Sequence, residues 1–398
     1  MAADGGRSGM QIQYYSGFQG LPRPFADLFD EVERIDFFAG RDWFDLLARH
    51  AGDDRDEFGV YTATDADGAP LLAMPAVRRV RAGRLFGGLS LATTAHLENF
   101  TVACILFGAG LDGDGGDGGD GGGGEARLAV LSEFFRRLRW DGGGGGRFDS
   151  IRLSPFAVDS HYGVLVYRAL RAAGFWIQVY TNSFNRYENT EGMSHDDYLA
   201  RFTSKERYNI RSRLRALEKD GGLSIEVIDG ERGLDAAVAA YEQVSAQSWK
   251  EPHTMTAGWT LDLIRRAARH GILRLGVLRL DGAPVAVQVW IVTGGVGHSV
   301  RIAHDEAFRR RHVGTVLTNH MIGVVLDRDR VHELSYGYGN EDFKGMWMRE
   351  SRFFCGYAAF NGRTRRGAVM GAVQILGRPA KALAKRLLGR GGEDDGNG

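Results

Sequence analysis

Cysteine is scarce. The 398-residue chain holds two, Cys104 and Cys355, each inside an apolar, strand-like stretch. Two isolated thiols make neither a disulfide framework nor a metal site, and they read as buried thiols in a reducing compartment. No apolar run approaches the ~20 residues that a membrane-spanning helix needs. The start, Met1-Ala-Ala-Asp-Gly-Gly, lacks the hydrophobic stretch of a signal peptide, so the cytoplasm is the expected compartment. An excess of either charge is also missing, because 50 Lys+Arg face 50 Asp+Glu. That balance removes the whole-chain electrostatic case for nucleic acid and leaves only local patches. The remaining composition, 43% hydrophobic and 25% charged, is that of an ordinary globular protein. The length asks for two domains.

What the chain does have is an internal echo. Asp67-Gly68-Ala69-Pro70 recurs as Asp281-Gly282-Ala283-Pro284. The first copy lies between strand-like runs 58–64 and 71–80, the second between 273–280 and 285–292. Asp-Gly between such runs signals a hairpin, since Gly adopts positive φ without steric cost. Two such hairpins predict a duplicated α/β unit. Helices are expected at 43–50 before the first hairpin, and at 234–249 and 258–270 before the second. After the second come a strand at 296–303, a helix at 315–328 that is apolar nearly all round, and a strand at 333–338.

Other segments are punctuated by composition. Residues 108–124 are almost wholly Gly and Asp, residues 142–146 are all Gly, and a helical segment at 125–140 lies between them. The Gly-Asp tract lacks the apolar positions of a calcium-binding β-helix repeat. Ser194–Asp197 and Thr203–Glu206 both match the capping-box pattern. The helix after the second carries Ile210, Leu214 and Leu217 on one stripe and Arg207, Arg211 and Arg215 beside it; Lys205 and Arg213 add charge. Between Asn361 and Arg390 there are eight Lys/Arg and no acid. With Val373, Leu376, Leu383, Leu387 and Leu388 among these cations, the tail reads as amphipathic, suited to an anionic membrane surface or to packing on a domain, with Pro379 interrupting any single helix.

The strand–loop–helix at 296–328 carries the strongest functional signal. Its loop, Arg309-Arg310-Arg311-His312-Val313-Gly314, is basic and opens a helix at Thr315. Outward-pointing N–H groups and the helix dipole favour an anion there, so the loop can hold a phosphate. A strand meander, a basic Gly-containing loop, a buried helix and a further strand resemble the GNAT superfamily of acyl-CoA-dependent acyltransferases. Its loop reads Arg/Gln-x-x-Gly-x-Gly/Ala; Arg311 and Gly314 fit, and Val316 departs. A wider resemblance rests on Thr203-Ser-Lys-Glu-Arg-Tyr-Asn-Ile-Arg-Ser-Arg-Leu-Arg-Ala-Leu, Ser248-Trp249-Lys250, Ala303-His-Asp-Glu-Ala-Phe308, Gly314-Thr315-Val316-Leu317, Asp342-Phe343-Lys344-Gly345-Met346-Trp347 and the N-terminal Asp42-Trp43-Phe44. It is to the FemAB-like branch of the superfamily, among bacterial acetyltransferase-like proteins linked to cellulose and exopolysaccharide biosynthesis.

The resemblance implies an α/β (α+β) fold of two tandem GNAT-like units, each a mixed, mostly antiparallel sheet flanked by helices. The units are expected at 10–180 and 181–360, with the basic tail at 361–398. It implies an enzyme that moves an acetyl or other acyl group from acyl-CoA to an amine or hydroxyl, on a saccharide or envelope precursor, with acetyl-CoA as co-substrate and no metal. The cofactor would be held by Arg310, Arg311, His312, Val313, Gly314 and Thr315.

Such a reaction needs donors aimed at the developing oxyanion, here backbone N–H groups of the strand at 296–303, and a base near the acceptor. Asp305 is the candidate base, beside His304 and Glu306; the alternative is an Asp that only shapes the turn. Tyr338 or Tyr336 could protonate the thiolate. Lys344 could hold an anionic group or pair with Glu341 over Trp347. Two rival readings stay open: an aminoacyltransferase that takes its acyl group from aminoacyl-tRNA on Arg207, Arg211 and Arg215, and a non-catalytic GNAT scaffold in polysaccharide biosynthesis. Neither Cys suggests a covalent intermediate.

Overall fold

The computed structural model describes residues 9–50, 56–81, 88–92, 104–111, 123–141, 147–248, 256–338 and 342–375. Most of the Gly-Asp tract, the Gly run at 142–146, Trp249-Lys250, Glu341 and the tail beyond 375 lie outside these residues.

Along the chain the first half gives β1 (Gln11–Ser16), α1 (Arg23–Ile35), α2 (Arg41–His50), β2 (Asp56–Thr64), β3 (Pro70–Arg81), β4 (Gly88–Ala92), β5 (Leu106–Phe107), α3 (Gly123–Asp141), β6 (Ser150–Ala157), α4 (His161–Ala172) and β7 (Trp176–Asn189). The second half gives α5 (His195–Ala200), α6 (Ser204–Asp220), β8 (Leu223–Ile228), α7 (Leu234–Ala246), α8 (Thr256–Arg269), β9 (Leu273–Leu280), β10 (Ala283–Thr293), β11 (Val296–His304), α9 (Val313–Gly323), β12 (Glu333–Tyr338), α10 (Asp342–Trp347) and β13 (Glu350–Phe360).

Two compact units emerge. The first takes described residues from Met1–Asp30, Ala51–Asn182 and Phe354–Gly398, the second Glu31–His50 and Ser183–Phe353. Helix α2 precedes the first hairpin in sequence yet belongs to the second unit. The first unit's strands run β1-β2-β3-β4-β6-β13, with β5 off β3; the second's run β8-β9-β10-β11-β12-β7. The two orders match in pattern. Each has four strands in antiparallel succession, then a parallel step (β4–β6 and β11–β12), then an antiparallel sixth strand. This is the duplicated, mostly antiparallel α/β arrangement that the repeat implied. It also holds an exchange: the sixth strand of each sheet comes from the other half of the chain.

The two Asp-Gly-Ala-Pro segments do not make the same turn. In the second, Leu280 pairs with Ala283, and Asp281 (φ 50°) and Gly282 (φ 80°) form a two-residue hairpin loop with both residues left-handed. In the first, Thr64 pairs with Pro70, and the longer loop is held by Asp65, whose Oδ1 accepts from the N–H groups of Asp67 (3.0 Å) and Ala69 (2.8 Å). Both capping boxes form as expected, with Ser194 and Thr203 each exchanging bonds with the residue three positions on.

Each unit has its own core. The first packs Tyr61, Phe134, Phe135, Phe148, Phe156 and Leu170 between its sheet and α3 and α4. The second packs Leu317, Met321, Ile322 and Val325 against Leu278, Ala286 and Trp290. Helix α9 is buried as its all-round apolar sequence demands, and it lies close enough to β9 that a Cβ at Gly276 would run into Met321. The helix expected at 315–328 is shorter: α9 ends at Gly323, and Val324–Arg328 continue as a wider π turn.

Candidate functional site

In the second unit, β11 and β12 are bonded side by side only at Val296–His298 with Glu333–Ser335. Beyond that point β11 runs on to His304 and β12 to Tyr338 without pairing with each other, so a wedge opens between two parallel strands. Local irregularities line it. The register of β10 on β11 jumps from Trp290–Ser299 to Val289–Arg301, leaving Val300 as an unpaired bulge residue. A bulge re-aims the backbone groups beside it. On β12, Gly337 is left-handed (φ 60°), and its carbonyl accepts from Asn185 Nδ2 at 2.8 Å. Asn185 is fixed in turn by Arg352 at 3.0 Å, which also grips Glu333 with two bonds of 2.9 and 2.6 Å.

Buried polar groups lie on the elements around the wedge, β10, β11, β12 and α9. Thr318 of α9 accepts from Gln288 Nε2 at 2.6 Å, and Gln288 Oε1 accepts from Trp290 Nε1 at 2.9 Å. The Tyr336 ring packs on Trp290 at 5.7 Å, and burial drives its phenol well above the usual range, opposed by the Thr318 hydroxyl. Ser299 Oγ is buried with no hydrogen-bond partner among the described residues. Tyr336 thus stays protonated at neutral pH. Of Tyr338 the backbone is described, opposite Asn185; its side chain lies outside the described part.

At the end of β11 the chain does not form an open loop. Glu306–Arg311 make a turn of 3-10 helix capped by Asp305, whose Oδ1 accepts from Ala307 N–H at 2.8 Å. His312 is left-handed (φ 56°), and α9 starts at Val313 with no side-chain cap. The first amides of α9 therefore have no capping side chain, as anion binding at a helix N-terminus requires. Gly314 sits inside this first turn, and a Cβ there would touch only His304 at ordinary contact distance. Val316, the departure from the family loop, points into the core and is 3% exposed, so its bulk does not occupy the space in front of the amides.

Cations surround that helix start. Arg213 of α6 reaches the Thr315 hydroxyl at 3.5 Å, a contact the sequence pattern of Arg207, Arg211 and Arg215 does not show. Burial, with Arg213 adding to it, lowers the pKa of His312. Arg311 is paired with Asp220 at 2.5 Å, Arg309 leans on Glu306 at 3.7 Å, and Arg310 is exposed with no ion pair among the described residues. Arg207 turns back to carbonyls of Ala200 and Phe202, while Arg211 and Arg215 stay exposed.

The C-terminus of α7 meets the end of β11. Glu306 N–H donates to Gln247 O at 3.3 Å, and a Glu306 carboxylate oxygen lies 3.5 Å from His304 Nε2. Ser245 Oγ, Ser248 Oγ and Glu306 Oε1 are buried there without hydrogen bonds among the described residues. Lys344 is buried on α10, away from the exposed surface-pair reading; Glu341 lies outside the described residues. Trp347 is core: its carbonyl accepts from Tyr198 at 2.5 Å and its ring packs on Phe202.

One trio, Glu33, Asp42 and His270, brings metal-ligand atoms within 4.8 Å of one another. Those atoms are engaged already, Glu33 with Asp42 N–H at 2.7 Å and Asp42 with His270 at 2.9 Å and Arg266 at 3.1 Å.

Residues 204–345, which contain the wedge, α6 and the start of α9, match the family described as acetyltransferase (GNAT) domain. This segment is a GNAT domain. The chain is similar in fold to FemX, with a TM-score of 0.52, 10% identity, and coverage of 89% of this chain and 98% of that one. It is likewise similar to a conserved protein of unknown function from Bacteroides thetaiotaomicron (TM-score 0.50, 9% identity, covering 88% and 100%). L-PGS from Bacillus licheniformis also aligns, at TM-score 0.48 and 11% identity over 90% and 97%. No curated protein matches the sequence. At 10% identity the likeness to FemX is one of fold. Among the described residues no helix is long and apolar enough to cross a membrane.

Proposed function

We propose that the GNAT domain transfers an acyl group from an acyl-CoA, most simply acetyl-CoA, to an amine or hydroxyl. The observation that carries this reading is the uncapped N-terminus of α9, flanked by Arg213 and Arg310, at the mouth of the β11–β12 wedge. The pyrophosphate would rest on the amides of Val313, Gly314 and Thr315, with Arg310, Arg311 and His312 around it. The acyl arm would run into the wedge, where backbone N–H groups beside the Val300 bulge face the developing oxyanion. Glu306 with His304 is better suited than Asp305 to take the acceptor's proton, because Asp305 is occupied as a cap. Protonated Tyr336 is the group able to give a proton back to the thiolate. A saccharide or envelope precursor is our proposed acceptor, carried by the sequence resemblance alone.

Calorimetry with acetyl-CoA tests the donor. Binding that Arg213→Ala and Arg310→Ala each weaken supports the reading, and no heat at millimolar acetyl-CoA overturns it. A second reading, aminoacyl transfer from tRNA, draws on exposed Arg211 and Arg215 of α6. Salt-sensitive tRNA binding lost on changing both to Gln, with no acyl-CoA binding, would favour it.

A further inference from the structure

The first unit ends in a helix whose polarity is inverted. Residues 365–375 are helical and turn Gly367 and Gly371 inward. Both glycines are required there: a Cβ at Gly367 would clash with the carbonyls of Asn361 and Asp149, and one at Gly371 with Trp176 and Phe360. The inner face therefore offers only the two glycines and half-buried Ala368 and Ala372, and no large apolar side chain. The apolar side chains point outward instead, with Val369 63% and Val373 64% exposed beside Met370. A surface helix that only packs on its domain has the opposite arrangement.

Two further features lie at this helix. Trp176, 45% exposed, borders Gly371 and Gly362, and Trp140, 46% exposed, carries Arg363 over its ring at 3.2 Å. Half-exposed indoles beside outward valines suit the boundary between water and lipid. The charge is one-sided as well, since Arg363, Arg365 and Arg366 lie at or just before the start of this helix and residues 361–375 contain no acid. We infer that this face, centred on Val369 and Val373, is a docking surface for an anionic lipid bilayer, with the valines entering the headgroup region and the cations pairing with lipid phosphates. A second copy of the chain is a poor occupant, because it would oppose cations to cations. Nucleic acid would use the cations but not the valines. The inference is independent of the acyl-transfer reading.

The full-length protein should co-sediment with phosphatidylcholine vesicles that contain phosphatidylglycerol, and not with phosphatidylcholine alone; high salt should release it. The double variant Val369→Ser/Val373→Ser should weaken binding about tenfold. Arg365→Gln/Arg366→Gln should weaken it too, each pair with unchanged circular dichroism and Tm. Tryptophan emission of the unaltered protein should be quenched by brominated lipid, a readout that needs no variant. Equal binding to both vesicle types, no binding to either, no quenching, or full binding by the valine variant would each overturn the proposal. So would a dimer or a nucleic-acid complex that the valine variant abolishes.

Discussion

Arg266 and Asp42 are 224 residues apart in sequence, yet Arg266 Nη1 donates to the Asp42 carboxylate at 3.1 Å and to its backbone carbonyl at 3.0 Å. The same guanidinium holds Asp45 at 2.9 Å and Asp262 at 3.5 Å. Burial alone would lower the Arg266 pKa, but the Asp45 hydrogen bond and the charges of Asp262, Asp42 and Asp45 raise it. This one side chain, 4% exposed, fastens α2 to α8 within the second unit. The carboxylates are about one-third exposed, so water screens part of the gain. Arg266→Met should cost about 2 kcal/mol, less than for a fully buried pair. The urea midpoint should fall by the corresponding amount, with the slope unchanged.

Asp305 and Glu306 are neighbours with separable duties. Asp305→Asn should keep most activity, since Asn also caps; Asp305→Ala should lose about 1 kcal/mol of stability. Glu306→Gln should leave acetyl-CoA affinity intact and reduce kcat by about 10²–10⁴-fold. Steady-state kinetics paired with calorimetry checks both. A large kcat loss in Asp305→Asn with Glu306→Gln fully active would reverse the assignment.

His298 packs edge-on against Phe38 at 4.9 Å, and burial, aided by Arg352, lowers its pKa to about 3. The unfolded chain binds this proton near pH 6.5, while the folded chain refuses it until about pH 3. Stability is therefore intact above about 6.5 and is lost as pH falls from there towards 3. The expected slope from this group approaches about 1.4 kcal/mol per pH unit. Denaturation at several pH values should show it, and His298→Phe should flatten it.

Thr203 caps α6 through Glu206, with its Oγ1 accepting from Glu206 N–H at 3.3 Å. Thr203→Ala should destabilise by about 1 kcal/mol. Because α6 delivers Arg213 to the start of α9, the same change should also weaken acetyl-CoA binding, read by calorimetry.

Local signals in the sequence translated well. The capping boxes, the strands flanking both Asp-Gly turns, and the buried α9 follow from spacing alone, because they depend on neighbours within a few residues. The shape of the first turn did not follow, because Asp65 competes for the backbone with its side chain. The charge of Arg213 is plain in the sequence but its contact is not, because its partner, Thr315, is 102 residues away. That Val316 departs from the family loop without filling the space before the amides follows from the helix, which turns this side chain to the core. Strand exchange is equally invisible to periodicity, which reports that a strand is half-buried and not which sheet receives it.

That exchange sets a schedule for synthesis. The first sheet waits for Phe354–Phe360 of β13, and the second unit for the residues up to Phe353. Neither can close when the ribosome has made half the chain, so no early domain shelters while the next one is translated. Two hairpins, each with an unfinished sheet edge, stay open until β13 emerges, and meanwhile pairing with another molecule competes. The protein gains its two units almost together, once β13 is made, and a chaperone that holds the nascent chain should matter more for its yield than its size alone would suggest.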